Sequence, residues 1–143
     1  MHAAAAAFDV ITKTERLLVV TTPGKGRGVV ANQAFAVGDT VELVPVLVIE
    51  DGDVLDLTPL GNYVFNWPTS ESAVAVAFGC GSLYNHSYAP NARYTKVTDG
   101  HGSIRFTAIK PIAAGDEICI NYNGDPADQS PMWFDLAEVK TAP

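Results

Sequence analysis

The chain has 143 residues, 48% of them apolar, enough for one compact domain with a hydrophobic core and too few to expect two. Sixteen acidic against nine basic residues leave a net charge of −7, which speaks against general nucleic-acid binding, because that depends on many Lys and Arg contacts to phosphate. No apolar run approaches the roughly 20 residues needed to cross a bilayer, so no membrane partner is expected.

The amino terminus, MHAAAAAFDV, lacks a basic n-region and is interrupted by Asp9, so no signal peptide is expected. Residues 1–15 read as an amino-terminal extension. From there turn signals recur at short intervals: Pro23-Gly24, Gly38-Asp39, Asp51-Gly52, Gly61-Asn62, Asp99-Gly100, Gly115-Asp116 and Asn123-Gly124. The runs between them, 16–22, 28–35, 40–50, 103–109 and 117–122, are rich in Val, Ile, Phe and Thr and are predicted as strands. In the fourth run, Ile104, Phe106 and Ala108 alternate with Arg105 and Thr107, the mark of one buried and one wet face. Pro45 interrupts the third run, which is expected to split into two strands or to lie at an edge. Helix is scarce; the best candidate is 53–65, with Asp53 as a cap and Pro59 ending or bending it. The tail, 125–143, carries Trp133 and Phe134 and is expected to dock back onto the domain, since each large aromatic left in water forfeits roughly 1.5–3 kcal/mol. The fold class is therefore mainly β, in one domain of many short strands.

Two cysteines, Cys80 and Cys119, stand far apart, and His2, His86 and His101 do not cluster, so no metal site is expected. The thiols read as buried side chains in a reducing compartment. No basic residue lies between Arg27 and Arg93, a span that holds Asp39, Glu42, Glu50, Asp51, Asp53, Asp56 and Glu71. A field of that sign favours cationic partners, although acidity also serves solubility.

Three segments carry candidate chemistry, and each alone has a plain structural explanation. In 23-PGKGRGVVA-31, glycines at 24, 26 and 28 form a hairpin turn or let backbone N–H groups approach a ligand. No helix pattern follows, which excludes a dinucleotide or P-loop fingerprint. In 83-LYNHSYAPNARY-94, Asn85 and His86 either sit on a polar turn or are buried with partners. In 115-GDEICINY-122, a turn leads into a strand ending at Tyr122, whose ring would pack on the core.

In this order these segments resemble the SET-domain protein-lysine methyltransferases. The family's glycine motif is matched by Gly26-Arg27-Gly28-Val29-Val30-Ala31. Its Asn-His-Ser-x-x-Pro-Asn motif is matched by Asn85, His86, Ser87, Pro90 and Asn91, and its closing Gly-Glu-Glu-Leu-x-x-Asp-Tyr motif by Gly115 through Tyr122, with changes. Segments 61–67 and 74–87 are similar to the small viral members that are little more than the core, and the resemblance spans about residues 16–124. Tyr88 stands where many members carry Cys, and Asn121 replaces the usual Asp. The cysteine-rich segments that often flank the domain are absent, which points to a compact bacterial or viral member, cytoplasmic if bacterial.

The resemblance implies small β-sheets around a carboxy-terminal pseudoknot, and methyl transfer from S-adenosylmethionine to a lysine amine of a protein. It implies cofactor contacts at Lys25, Gly26, Arg27, Gly28, Asn85, His86 and Tyr122, with Trp133 either stacking on the adenine or filling the core. Tyr122 and Tyr63 are the implied catalytic residues. Tyr63, Tyr94 and Ile120 are the implied walls of the lysine channel, and Tyr94 and Ile120 point opposite ways on the degree of methylation. The expected partner is a basic protein or peptide, histone-like, steered by Asp51, Asp53 and Asp56. A homodimer is open, because small members sometimes dimerise. The rival reading is a module of this fold that binds cofactor or peptide without turnover.

Overall fold

The computed structural model describes residues 10–132, and Trp133, Phe134 and the rest of the tail lie outside them. Among the described residues, ten strands form three small sheets. The first is an antiparallel meander of β1 (Val10–Lys13), β2 (Leu17–Thr22) and β3 (Gly26–Ala31). It takes its first strand from the stretch expected as an extension. Among the described residues, no helix is long and apolar enough to cross a membrane.

The second sheet has five strands and is built around β4 (Thr40–Ile49). On one side of it lie β6 (Val74–Ala77) and β5 (Val64–Asn66), on the other β9 (Ser103–Ala108) and β8 (Ala92–Val97). Pro45 neither splits β4 nor puts it at an edge. Residues up to Pro45 pair with β9, and residues from Val46 onward pair with β6. The Pro45 carbonyl accepts the Phe78 amide at 3.0 Å, and the Phe78 carbonyl is taken by the Gly81 amide, also at 3.0 Å. Pro45 thus stands where β4 passes from one partner to the other, and the Phe78 carbonyl that faces it is already bonded, so the missing N–H is tolerated there.

The alternation in β9 holds. Ile104, Phe106 and Ala108 are buried and Arg105 is exposed. Phe106 sits at the middle of the core, its ring 4.4 Å from Tyr84 and 6.3 Å from Phe65. The helix expected over 53–65 is replaced by two 3-10 turns, Gly52–Leu55 and Pro59–Tyr63. Asp53 lies inside the first turn instead of capping it, and the residue at the cap position, Asp51, makes no side-chain cap bond. Pro59 opens the second turn, and only Gly52 of the nine residues is buried, so no apolar face drives a longer helix.

The third sheet is a parallel pair of β7 (Asn85–His86) and β10 (Cys119–Ile120). The strand expected over 117–122 is cut to two residues because the segment changes partners. The Ile118 amide bonds the Val29 carbonyl in β3 at 2.8 Å, whereas the Ile120 carbonyl accepts the Ser87 amide beyond β7 at 2.9 Å. Asn91 ties the two segments across: its Nδ2 donates to the Glu117 carbonyl at 2.8 Å, and its Oδ1 accepts the Cys119 amide at 2.9 Å. Here the chain from the middle of the sequence crosses the chain from its end.

Candidate active site

The hairpin between β2 and β3 turns at residues 23–25, with the Lys25 amide on the Thr22 carbonyl at 3.2 Å. Gly24 and Gly26 have φ of 73° and 75°, which side-chain-bearing residues rarely adopt, and open space surrounds the Cβ position of both. Gly28 is constrained differently. A Cβ there would lie 2.7 Å from both Asn85 Nδ2 and Glu117 Oε2. The missing side chain leaves room for Asn85 and Glu117 at the crossing.

Asn85 reaches from β7 into that gap. Its Nδ2 donates to Glu117 Oε2 at 2.7 Å and to the Arg27 carbonyl at 3.1 Å. Glu117 in turn faces Lys25 Nζ at 3.4 Å. One carboxylate therefore ties the hairpin turn, β7 and the start of the last segment together. The beginning of β10 feels it as well. Burial, with the Glu117 charge beside it, pushes the Cys119 thiol up to about 12, so it stays protonated.

Tyr122 follows β10 and is held at three points. Its amide donates to His86 Nδ1 at 3.0 Å, its carbonyl accepts the Tyr94 hydroxyl at 3.3 Å, and its own hydroxyl donates to the Tyr84 carbonyl at 2.6 Å. The bond to Nδ1 requires that nitrogen to be unprotonated, which places any proton of a neutral His86 on Nε2. Burial pushes the Tyr122 hydroxyl up to about 12, with Cys119, Glu117 and Tyr63 adding to the shift. At neutral pH the hydroxyl stays protonated and serves as a hydrogen-bond group.

Tyr84 is itself fixed. Its buried hydroxyl donates to Glu42 Oε1 at 2.7 Å, and Glu42 Oε2 accepts the Cys80 amide at 3.0 Å. Burial, then the Glu42 carboxylate, hold the Tyr84 hydroxyl well above the usual tyrosine range. Neither Glu42 nor Glu117 was given a role from the sequence. Glu117 lies inside the closing motif, but its partner is 32 residues away and that of Glu42 is 42 away, so no local pattern shows what either one binds.

Two cavities meet at Tyr122. The smaller, about 470 Å³, is walled by the turn residues Gly24 to Arg27 and by Asn85 and His86. The larger, about 700 Å³, lies between the two edge strands of the five-stranded sheet, β5 and β8, and continues past Asn123 and Gly124. Asn62, Tyr63, Ser82 and Tyr122 belong to both walls. Tyr94 lines the larger cavity, its ring edge-on to Phe65 at 5.0 Å. Ile120 is not brought to either wall; it is 1% exposed, in the core. Trp133 lies outside the described residues. Of the three acidic residues expected to steer a substrate, Asp56 lines the larger cavity, whereas Asp51 and Asp53 line neither. Arg93 and Lys96 of β8 are the basic residues on that wall.

Residues 26–123 match the family model described as SET domain. A histone-lysine N-methyltransferase of Schizosaccharomyces pombe, H3 lysine-37 specific, is 32% identical over 117 residues, covering 80% of this chain and 74% of that protein. Among solved structures, a Plasmodium falciparum protein assigned as a histone methyltransferase superposes with a TM-score of 0.64 at 20% identity, covering 85% of this chain and 99% of that one. The ATXR5 SET domain, in complex with histone H3 dimethylated on an arginine, gives 0.63 at 14% identity, covering 77% of this chain and 58% of that one. At these identities the two structures speak to the fold alone.

Proposed function

This chain belongs to the SET-domain protein-lysine methyltransferases, and from that premise we propose that it transfers a methyl group from S-adenosylmethionine to a lysine side chain of a basic, histone-like protein. The observation that carries the proposal is the pair of cavities abutting at Asn62, Tyr63, Ser82 and Tyr122. A donor seated in one and a lysine entering from the other come within reach of each other there.

The smaller cavity fits the donor chemically. Lys25 and Arg27 offer cations for a carboxylate, the open backbone at Gly26 offers close approach, and the His86 ring offers a surface for an aromatic base. The donor supplies an electrophilic methyl on a sulfonium; the protein's own residues do the rest.

The lysine must arrive neutral, and at pH 7 removing its proton costs roughly 4–5 kcal/mol against a reference pKa near 10.4. The aromatic walls at Tyr63, Tyr94 and Tyr122 lower that cost by withdrawing the ammonium from water. Tyr122 does not take the proton, since its hydroxyl is held up at about 12 and is committed as a donor to the Tyr84 carbonyl. A hydroxyl that donates in this way can also accept from the amine. Its role is to align attack, with Glu42 and Tyr84 keeping the accepting carbonyl in place.

The deciding experiment incubates the protein with labelled S-adenosylmethionine and a panel of lysine peptides, beside Tyr122→Phe. Transfer by the parent, reduced roughly 10²-fold in the variant, supports the proposal. Cofactor binding with no transfer to any peptide or to whole histones supports the module without turnover, and absence of cofactor binding sinks the reading.

A further inference from the structure

Two positions at which the sequence departs from the family pattern, Tyr88 and Asn121, hold the same piece of chain. Asn121 is 2% exposed. Its Nδ2 donates to the Asp128 carbonyl at 2.6 Å and to the Pro126 carbonyl at 3.4 Å, and its Oδ1 accepts the Asn123 amide at 3.0 Å. Acceptors on one side and a donor on the other fix the orientation of the amide. A carboxylate of the same shape could accept from Asn123 but would turn a negative oxygen toward two carbonyls.

Tyr88 works on the next stretch. Its hydroxyl donates to the Ser130 carbonyl at 3.1 Å and accepts the Met132 amide at 3.2 Å, while its own carbonyl accepts Gln129 Nε2 at 3.1 Å. Asn123 Nδ2 adds a bond to the Ser130 carbonyl at 3.0 Å. The segment is also shaped from within: Asp125 Oδ1 accepts the Ala127 amide at 2.9 Å and Asp128 Oδ1 the Ser130 amide at 2.8 Å. Met132, at its end, is buried. The holding residues abut the site on both sides. Asn121 immediately precedes Tyr122, and the Tyr88 ring stands edge-on to His86 at 4.4 Å, whose Nδ1 receives the Tyr122 amide.

We propose that Asn121 and Tyr88 form a clasp that seats residues 125–132 on the crossing and thereby fixes the backbone around Tyr122 for methyl transfer. Both are positioning residues, since they act through Tyr122 and His86. The kinetic half rests on the methyltransferase reading; the clasp itself does not.

Asn121→Asp tests the amide donor at constant shape. Hydrogen exchange over residues 125–132, corrected for intrinsic rates, is compared at pH 8 and pH 5 in the parent, in Asn121→Asp and in Tyr88→Phe. At pH 8 both variants exchange about tenfold faster or more in this segment, with the rest of the chain unchanged. At pH 5 Asn121→Asp regains protection, because burial against two carbonyls raises the pKa of the substituted carboxyl and its protonated form donates again. Tyr88→Phe, which keeps the ring and loses the hydroxyl, regains nothing. In the kinetic arm, kcat of Asn121→Asp at pH 8 falls about tenfold or more while the KM for S-adenosylmethionine stays within about twofold.

Unchanged exchange at pH 8 in both variants overturns the clasp, and loss of protection without recovery at pH 5 overturns the role given to the Asn121 amide. A loosened segment with unchanged kcat overturns the positioning of Tyr122. If Asn121→Asp does not fold, Tyr88→Phe decides by exchange and kcat alone. A parent with no transfer activity removes the methyltransferase reading and the kinetic half with it, while the exchange arm still judges the clasp.

Discussion

A methyl group added at Gly28 would press on Asn85 Nδ2, Glu117 Oε2 and Thr22 Cγ2, all within 2.8 Å. Gly28→Ala is therefore expected to push β7 away from the turn and cost about 1–3 kcal/mol of stability, as overpacking does. Because Asn85 walls the smaller cavity, affinity for S-adenosylmethionine should fall as well. Calorimetric titration of the cofactor, beside a urea melt, checks both; an unchanged binding constant would show that Asn85 does not shape the cavity. Gly26→Ala differs in cause, since its Cβ meets nothing and only the φ of 75° resists, by about 1–2 kcal/mol. At this scale the sequence marked both glycines as special. It did not separate a backbone reason from a packing reason, because the atoms that crowd Gly28 come from residues 22, 85 and 117.

Among the elements, β4 bears the widest load. It pairs with β6 and β9 and offers Glu42 to Tyr84 and to the Cys80 amide. Glu42→Ala leaves a buried hydroxyl and an amide without their acceptor, a loss of about 1–3 kcal/mol for an unsatisfied group. A shift of the urea midpoint measures it, and a matching drop in kcat would show that the Tyr84 carbonyl needs this support to hold Tyr122. Strand β9 was legible because alternation shows in six residues. The pair β7 and β10 was not, since two residues have no period and their pairing joins positions 34 apart. The proline in β4 was misread for a related reason. Whether a missing N–H matters depends on the partner opposite, and here that partner's carbonyl was already bonded.

At the scale of the molecule, charge and burial give two more expectations. Asp56 is on the wall of the larger cavity, and Asp51 and Asp53 are not. Asp56→Asn should therefore raise the KM for a basic peptide and flatten its salt dependence, whereas the other two neutralised together should change either little. Equal effects from both variants would return the steering to the general field of the protein. The second concerns alkali. Cys80 is raised to about 11, Cys119 and Tyr122 to about 12, and Tyr84 and Tyr94 also upward, all chiefly by burial. Below their unfolded pKa values, about 9 for the thiols and 10 for the phenols, folded and unfolded chains hold the same protons. Above them the unfolded chain ionises first, so stability falls as pH rises from about 9 toward 12. Thermal melts between pH 8 and 11 should show Tm declining steadily, and a flat profile would contradict the burial of these groups.

The order and spacing of its motifs determined, by themselves, that this is a mainly β chain of the SET family, and which tyrosines and which Asn-His pair to watch. Those properties are local: a strand's period, a turn's glycine and a motif's residue types are written in consecutive positions. The tertiary structure alone decided that Glu117 holds Asn85 to the turn, that Glu42 and Tyr84 fix the acceptor for Tyr122, and that Ile120 belongs to the core. It also showed that Tyr88 and Asn121, unexplained as letters, both grip residues 125–132. Each of these is a hydrogen bond or a packing contact, most of them between residues far apart in the chain. Side-chain partners of this kind are chosen by the folded path of the chain, and their separation in sequence carries no periodic signal.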